Sequence, residues 1–175
     1  MSVRVFIACS LDGFIAGPDD DLSWLPDDPP EGVDWGYDAF MAGTDALLMG
    51  RGTWDVVAGF DTWPYGETPV FVATTRPLQT ERTNVHAVSG TPAELLDTVR
   101  DAVGDGGIYL DGGVLIRAFL DAGLVDELTV SIVPVVLGAG HPLFAGATRR
   151  HAFDVEEAVD RAGLVQLRLK PTRSS

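Results

Sequence analysis

The sequence is short of cysteine, of basic side chains and of long apolar runs, and each shortage removes a class of protein. Cys9 is the only cysteine in 175 residues, which excludes a disulfide framework or a cysteine-built zinc centre within the chain and favours a reducing compartment. Twelve Lys and Arg stand against 26 Asp and Glu, a formal charge of −14, so long-range repulsion opposes duplex nucleic acid and anionic membrane surfaces. A small anionic ligand stays admissible, because distant charge is screened beyond ~8–10 Å in salt. The apolar run Val5-Phe6-Ile7-Ala8-Cys9 is too short for a signal-peptide core or a membrane span, and the expectation is a cytoplasmic protein. His86, His141 and His151 lack the spacing of a metal triad, and no metal site is expected. The clusters Asp19-Asp20-Asp21 and Asp27-Asp28 have neither the alternating oxygen ligands nor the distal glutamate of a calcium loop and read as solvated loop.

What is present fits one domain over residues 1–175: 46% hydrophobic residues in a length typical of a single unit, with roughly 68–70% of the unfolded surface available for burial. Compact apolar runs at Val3 to Cys9, Asp45 to Met49, Pro69 to Thr75, Asn84 to Val88 and Ile108 to Leu110 predict buried strands. Helical spacing is read over Asp34 to Ala42, Arg51 to Ala58, Thr91 to Val103 and Val114 to Asp121, with Gly123 as a stop. Thr91, Pro92 and Glu94 form a capping-box pattern. Two late alternating segments, Glu127 to Val133 and Val165 to Leu169, carry little helix after them. The fold class is therefore α/β, with a mixed sheet that is mostly parallel, antiparallel C-terminal strands and flanking helices.

Three strand ends carry unusual residues. Met49-Gly50-Arg51-Gly52-Thr53 brings two glycines, a cation and a hydroxyl to a helix start, which makes either a phosphate site or a tight turn whose arginine pairs with a carboxylate. Asp111-Gly112-Gly113-Val114-Leu115 follows a strand and opens a helix, where missing β-carbons let a ligand touch the backbone. Thr74-Thr75-Arg76 ends a third strand. Neither the Gly-x-Gly-x-x-Gly nor the Gly-x-x-x-x-Gly-Lys pattern occurs, so a nucleotide would need another scaffold. Together the three turns fit one extended polyphosphate ligand along a sheet edge.

The segments Ser10-Leu11-Asp12-Gly13-Phe14-Ile15-Ala16-Gly17, Leu48 to Trp54, Gly112-Gly113 and Pro134 to Gly140 with Pro142-Leu143-Phe144 resemble, in order, those of the dihydrofolate reductase-like superfamily. The similarity is to the branch of the C-terminal reductase domain of bacterial riboflavin biosynthesis, the RibD C-terminal-like proteins. The resemblance implies an NADPH-dependent reductase of a small heterocycle, similar to 5-amino-6-(5-phosphoribosylamino)uracil reductase, on a sheet of about eight strands. It places Ala8 and Ile15 at the nicotinamide, and Gly50, Arg51 and Thr53 at the phosphates. It puts Thr74, Thr75 and Arg76 at the adenosine and its 2′-phosphate, and Gly112, Gly113, Val114 and Leu115 at the pyrophosphate and nicotinamide ribose.

Asp34 and Asp12 are the candidate catalytic carboxylates. Asp34 has the spacing of the ring-binding acid of folate reductases, or is a helix N-cap; Asp12 is the other acid near the nicotinamide end, or caps a turn before Gly13. Asp111 replaces a glycine of folate reductases and is similar to the acidic residue before the glycine pair in the riboflavin branch. An NADPH-binding module without turnover and a dihydrofolate reductase are the competing readings. A homodimer is expected, with Leu128, Val130, Ile132 and the loop through Pro142 and Phe144 as its contact.

Overall fold

The computed structural model describes residues 2–172, so the outermost residues of the expected domain lie outside it. In chain order the elements are β1 (Ser2–Ser10), β2 (Phe14–Ala16), a 3-10 turn (Pro18–Asp20), α1 (Tyr37–Ala42), β3 (Ala46–Gly50), α2 (Arg51–Val57) and β4 (Val70–Ala73). There follow β5 (Val85–Val88), α3 (Pro92–Val103), β6 (Gly107–Asp111), α4 (Gly113–Asp121), β7 (Glu127–Val133), β8 (His141–Pro142), β9 (Phe153–Asp160) and β10 (Val165–Pro171). Eight strands form one sheet in the order β5-β4-β3-β6-β1-β7-β10-β9, and β2 pairs with β8 in a small second sheet. From β5 to β7 every pairing is parallel, whereas β10 runs antiparallel to both β7 and β9.

The parallel strands are covered on both faces, which is why they read as unbroken apolar runs. Ala46, Leu47, Leu48 and Met49 of β3 are all fully buried. One face packs Val5, Leu48, Ile108 and Leu110 against Leu95 and Val99 of α3 and Ile116 and Phe119 of α4. The other packs Leu47, Met49, Val72 and Tyr109 against Phe40 of α1 and Trp54 and Val57 of α2. The capping box of α3 forms as its sequence dictates: Thr91 accepts from the Glu94 amide and Glu94 accepts from the Thr91 amide.

Three strands escape the sequence patterns, and two expectations are corrected. The β9 strand carries no alternation because five consecutive residues from Asp154 to Ala158 are exposed, so the periodicity that marks a half-buried strand is missing. The pair β2 and β8, of three and two residues, is too short to leave a pattern. Asp34 is not the cap of α1: that place belongs to Gly36, at φ 81°, and the Asp34 Oδ1 instead accepts from the Gly36 amide at 2.6 Å, closing a turn ahead of the helix. Finally, Leu128 and Val130 lie in the core against β1 and β10, 0% and 3% exposed, so these two side chains are covered within the chain and do not supply the expected contact with a second copy.

Candidate active site

In this sheet the order β4-β3-β6-β1 brings the carboxyl ends of four parallel strands side by side, each about 4.8 Å from the next. A cavity of about 810 Å³ runs along these ends. All three unusual turns open into it. Gly50, Arg51 and Thr53 come from the β3–α2 junction, Thr74, Thr75 and Arg76 from the end of β4, and Gly112, Gly113, Val114 and Leu115 from the β6–α4 junction. Ala8 of β1 and Ile15 of β2 line the same space. The structure thus brings all the proposed cofactor residues together, including those contributed by segments more than a hundred positions apart.

At the β4 end a small network fixes two cations. Arg51 Nε meets Asp55 Oδ1 at 2.7 Å, one turn along α2, and its Nη1 donates to Thr74 Oγ1 at 3.4 Å and to the Pro77 carbonyl at 3.1 Å. Arg76 reaches the other oxygen of Asp55 at 3.5 Å, and its amide donates to Thr74 Oγ1 at 3.1 Å. One carboxylate therefore holds two guanidinium groups at the rim, leaving a net positive corner in an acidic protein.

At the β6–α4 junction the main chain lines the cavity. Gly112 has φ 100°, and a β-carbon there would stand 2.7 Å from Thr53 Oγ1; one on Gly113 would stand 2.7 Å from the Pro142 carbonyl oxygen. No side chain caps α4. Its first internal bond is donated by Ile116, to the Gly112 carbonyl at 2.8 Å, so the amides of Gly113, Val114 and Leu115 have no partner within the helix and sit at its positive end.

Asp111, beside this junction, is the acid that lines the cavity on the α1–α2 face. It shares that face of β6 with Tyr109 by the two-residue period of a strand. Burial pushes its carboxyl up to about 6, and the Gly112 amide at 2.8 Å and the Tyr109 hydroxyl only partly oppose this. Around it, burial and the charge of Asp111 push the Tyr37 phenol up to about 12 and raise those of Tyr65 and Tyr109. All three stay neutral donors across the physiological range. Sequence reading noted Asp111 only for its place before the glycine pair; the available signal was a strand-end acid two residues after a tyrosine.

Asp12 and Asp34 are not among the residues lining the cavity. Asp12 accepts from Ser10 Oγ at 2.6 Å and from the amides of Leu137 and Gly138 at 3.1 and 2.7 Å, and these bonds lower its carboxyl to about 2. It ties the turn after β1 to the loop after β7. Across the mouth, His141 meets Asp20 at 3.0 Å, and both line the cavity. The other histidines pack elsewhere, His86 on the Phe71 ring and His151 against Asp121 at 2.7 Å. Among the described residues no cluster of His, Cys, Asp and Glu could hold a metal ion, and no helix is long and apolar enough to cross a membrane.

Sheet order and strand-end cavity define the class, the reductase-type domains of the dihydrofolate reductase-like fold. The chain belongs to the RibD C-terminal domain family, whose model matches residues 1–173. It is 32% identical over 142 residues to YwjB, an uncharacterized protein of Bacillus subtilis (strain 168), with 80% of each chain covered. It is 32% identical over 167 residues to YyaP of the same organism, also uncharacterized, covering 82% of this chain and 80% of YyaP. Among solved structures it is similar to a putative riboflavin biosynthesis protein from Shewanella sp. PV-4, with TM-score 0.87, 37% identity, and 99% and 100% of the two chains covered. The fold also recurs in a Thermotoga maritima diaminohydroxyphosphoribosylaminopyrimidine deaminase/5-amino-6-(5-phosphoribosylamino)uracil reductase, at TM-score 0.72 and 18% identity. There the match covers 98% of this chain but 56% of the larger protein.

Proposed function

We propose that this chain is an NADPH-dependent reductase of a small heterocyclic compound. The family relationship supports a reductase-like role, and the observation that carries the finer reading is the convergence of three strand-end turns on one cavity. The residues present fit the dinucleotide. The glycine pair lines the cavity with main chain and packs against Thr53 and the Pro142 carbonyl where a β-carbon would collide, the first amides of α4 would meet an anionic linker, and Arg51 and Arg76 stand where a 2′-phosphate would gain charge-assisted bonds.

When bound, the cofactor supplies a hydride to an electrophilic carbon of the substrate. Ala8 and Ile15 give the ring that carries it an apolar seat at the end of β1. Asp111 is the proton donor: a carboxyl raised to about 6 keeps a protonated fraction near neutral pH and stands in the wall of the cavity. The neutral hydroxyl of Tyr109 orients it. Leu22 and Leu25, from the loop after β2, line the mouth and limit the entry of water.

The test is a thermal-shift titration with NADPH and NADH, followed by a spectrophotometric screen of pyrimidines, pterins and other flat heterocycles for NADPH oxidation. A ligand that binds only the native state must raise its melting temperature. The reading requires a larger shift with NADPH than with NADH and substrate-dependent loss of the reduced cofactor. Absence of any shift with either nucleotide removes it.

A further inference from the structure

Among the described residues the cationic or imidazole side chains that line the cavity are Arg51, Arg76, Arg117 and His141, and none of them faces the pocket around Asp111. Arg51 and Arg76 are joined through Asp55 at the β3–β4 end. Arg117 is on α4, on the opposite face of the sheet, with Nη1 on the Pro142 and Leu143 carbonyls at 2.6 and 3.2 Å. His141 is paired with Asp20 at the rim. The surroundings of Asp111 agree: burial dominates them, and the groups that act on it are an amide and a phenol, with no cation among them. The rest of the wall on the α1–α2 face is Phe6, Val56, Val57, Phe60 and Tyr65. Arg161 and Arg168, of the β9–β10 hairpin, are absent from the lining.

Taking the proposed orientation of the cofactor as given, we propose that the substrate is a small, uncharged, planar ring compound without a phosphate group, seated on the Phe6, Val56, Phe60 and Tyr65 wall with Asp111 as its acidic anchor. A phosphate brought into this pocket would lose water, meet no guanidinium or ammonium and approach a carboxyl group. A flat neutral ring loses only apolar hydration and covers aromatic and β-branched side chains. The assignment separates this chain from a phosphoribosyl substrate of the kind named for the Thermotoga maritima enzyme.

The discriminating experiment uses a matched pair, 5-amino-6-ribosylaminouracil with and without its 5-phosphate, titrated calorimetrically into protein saturated with NADPH. NADPH binding is first established by thermal shift. The dephosphorylated compound should bind at least tenfold more tightly. Phe60, 47% exposed, can be replaced without opening the core, and Phe60→Arg should bring the ratio toward one by supplying the missing cation while leaving the NADPH shift intact. If NADPH binds and the ratio is below tenfold in the wild type, including the case in which neither compound binds, the substrate assignment is overturned and the cofactor reading survives. If NADPH itself does not bind, both fall together.

Discussion

Tyr109 and Asp111 stand two residues apart on β6, and the Tyr109 hydroxyl, 2.9 Å from the Phe6 carbonyl oxygen, also faces the Asp111 carboxylate. One phenolic proton thus serves two acceptors, and Asp111 receives less stabilisation of its charged form than a dedicated donor would give. Burial then decides the outcome, and the acid is held near 6.

If Asp111 donates the substrate proton, kcat/KM falls as pH rises through about 6, because only the protonated carboxyl can donate. Asp111→Asn should lower kcat by about 10²–10⁴-fold, the usual worth of a positioned general acid, and flatten the profile. Steady-state rates from pH 5 to 8.5 check this; an unchanged profile in the variant removes Asp111 from the reaction.

The same residue costs stability. Its carboxyl is raised on folding, so the native state holds the proton more tightly than the unfolded chain. The penalty is absent below the unfolded value, near 3.9, and fully developed above about 6. Asp111→Asn should therefore be more stable than the wild type at pH 7.5, by up to about 2–3 kcal/mol, and near parity at pH 4. Urea unfolding at the two pH values measures the difference.

Asp34→Asn should leave turnover within about threefold of the wild type, a barrier change below roughly 0.7 kcal/mol, because Asp34 does not line the cavity and its carboxylate is occupied with the Gly36 amide. Methotrexate competition is likewise not expected. A loss on Asp34→Asn as large as that on Asp111→Asn would restore the folate-reductase reading.

Arg51→Ala and Arg76→Ala should each weaken NADPH binding by roughly tenfold or more, the worth of a charge-assisted contact, with a smaller effect on NADH. Arg51→Ala removes the shorter of the two Asp55 ion pairs, 2.7 Å against 3.5 Å, together with the bonds to Thr74 and the Pro77 carbonyl, so it should be the more damaging of the two. Titrations with both nucleotides at low and high salt read this directly. Equal losses for NADPH and NADH remove the 2′-phosphate assignment.

Gly113→Ala should abolish nucleotide binding, because its β-carbon would sit 2.7 Å from the Pro142 carbonyl oxygen at the floor of the cradle. Gly140→Ala is the control for fold alone: at φ 140° its β-carbon would stand 2.0 Å from the Ala16 carbonyl oxygen, in the β2–β8 region. It should lower the melting temperature by several degrees, the size expected for about 1–3 kcal/mol of strain. Calorimetry with and without NADPH separates the two effects.

Much of this arrangement was legible in the chain. The parallel strands announce themselves because burial on both faces demands continuous apolar residues, as in Ala46 to Met49. The three cavity-lining turns are visible because glycines, hydroxyls and arginines recur together at strand ends, although each turn taken alone also admits a purely structural use. What escaped was set by exposure and by tertiary context. The exposed acids of β9 hide a strand, and Gly36 took a cap that local chemistry offered to Asp34. Asp111 gained its character from burial beneath elements that only the folded sheet brings near, which no local pattern records.

The two halves of the cavity are made of different materials. One is main chain, glycines and helix amides rooted at strand ends, where a β-carbon on Gly112 or Gly113 collides with a neighbour; the other is a lining of side chains on α2 and the loop after it. A lineage built this way can exchange Val56 or Phe60 and acquire a new chemical clientele while the main-chain half, the seat proposed for the reductant, is inherited unaltered.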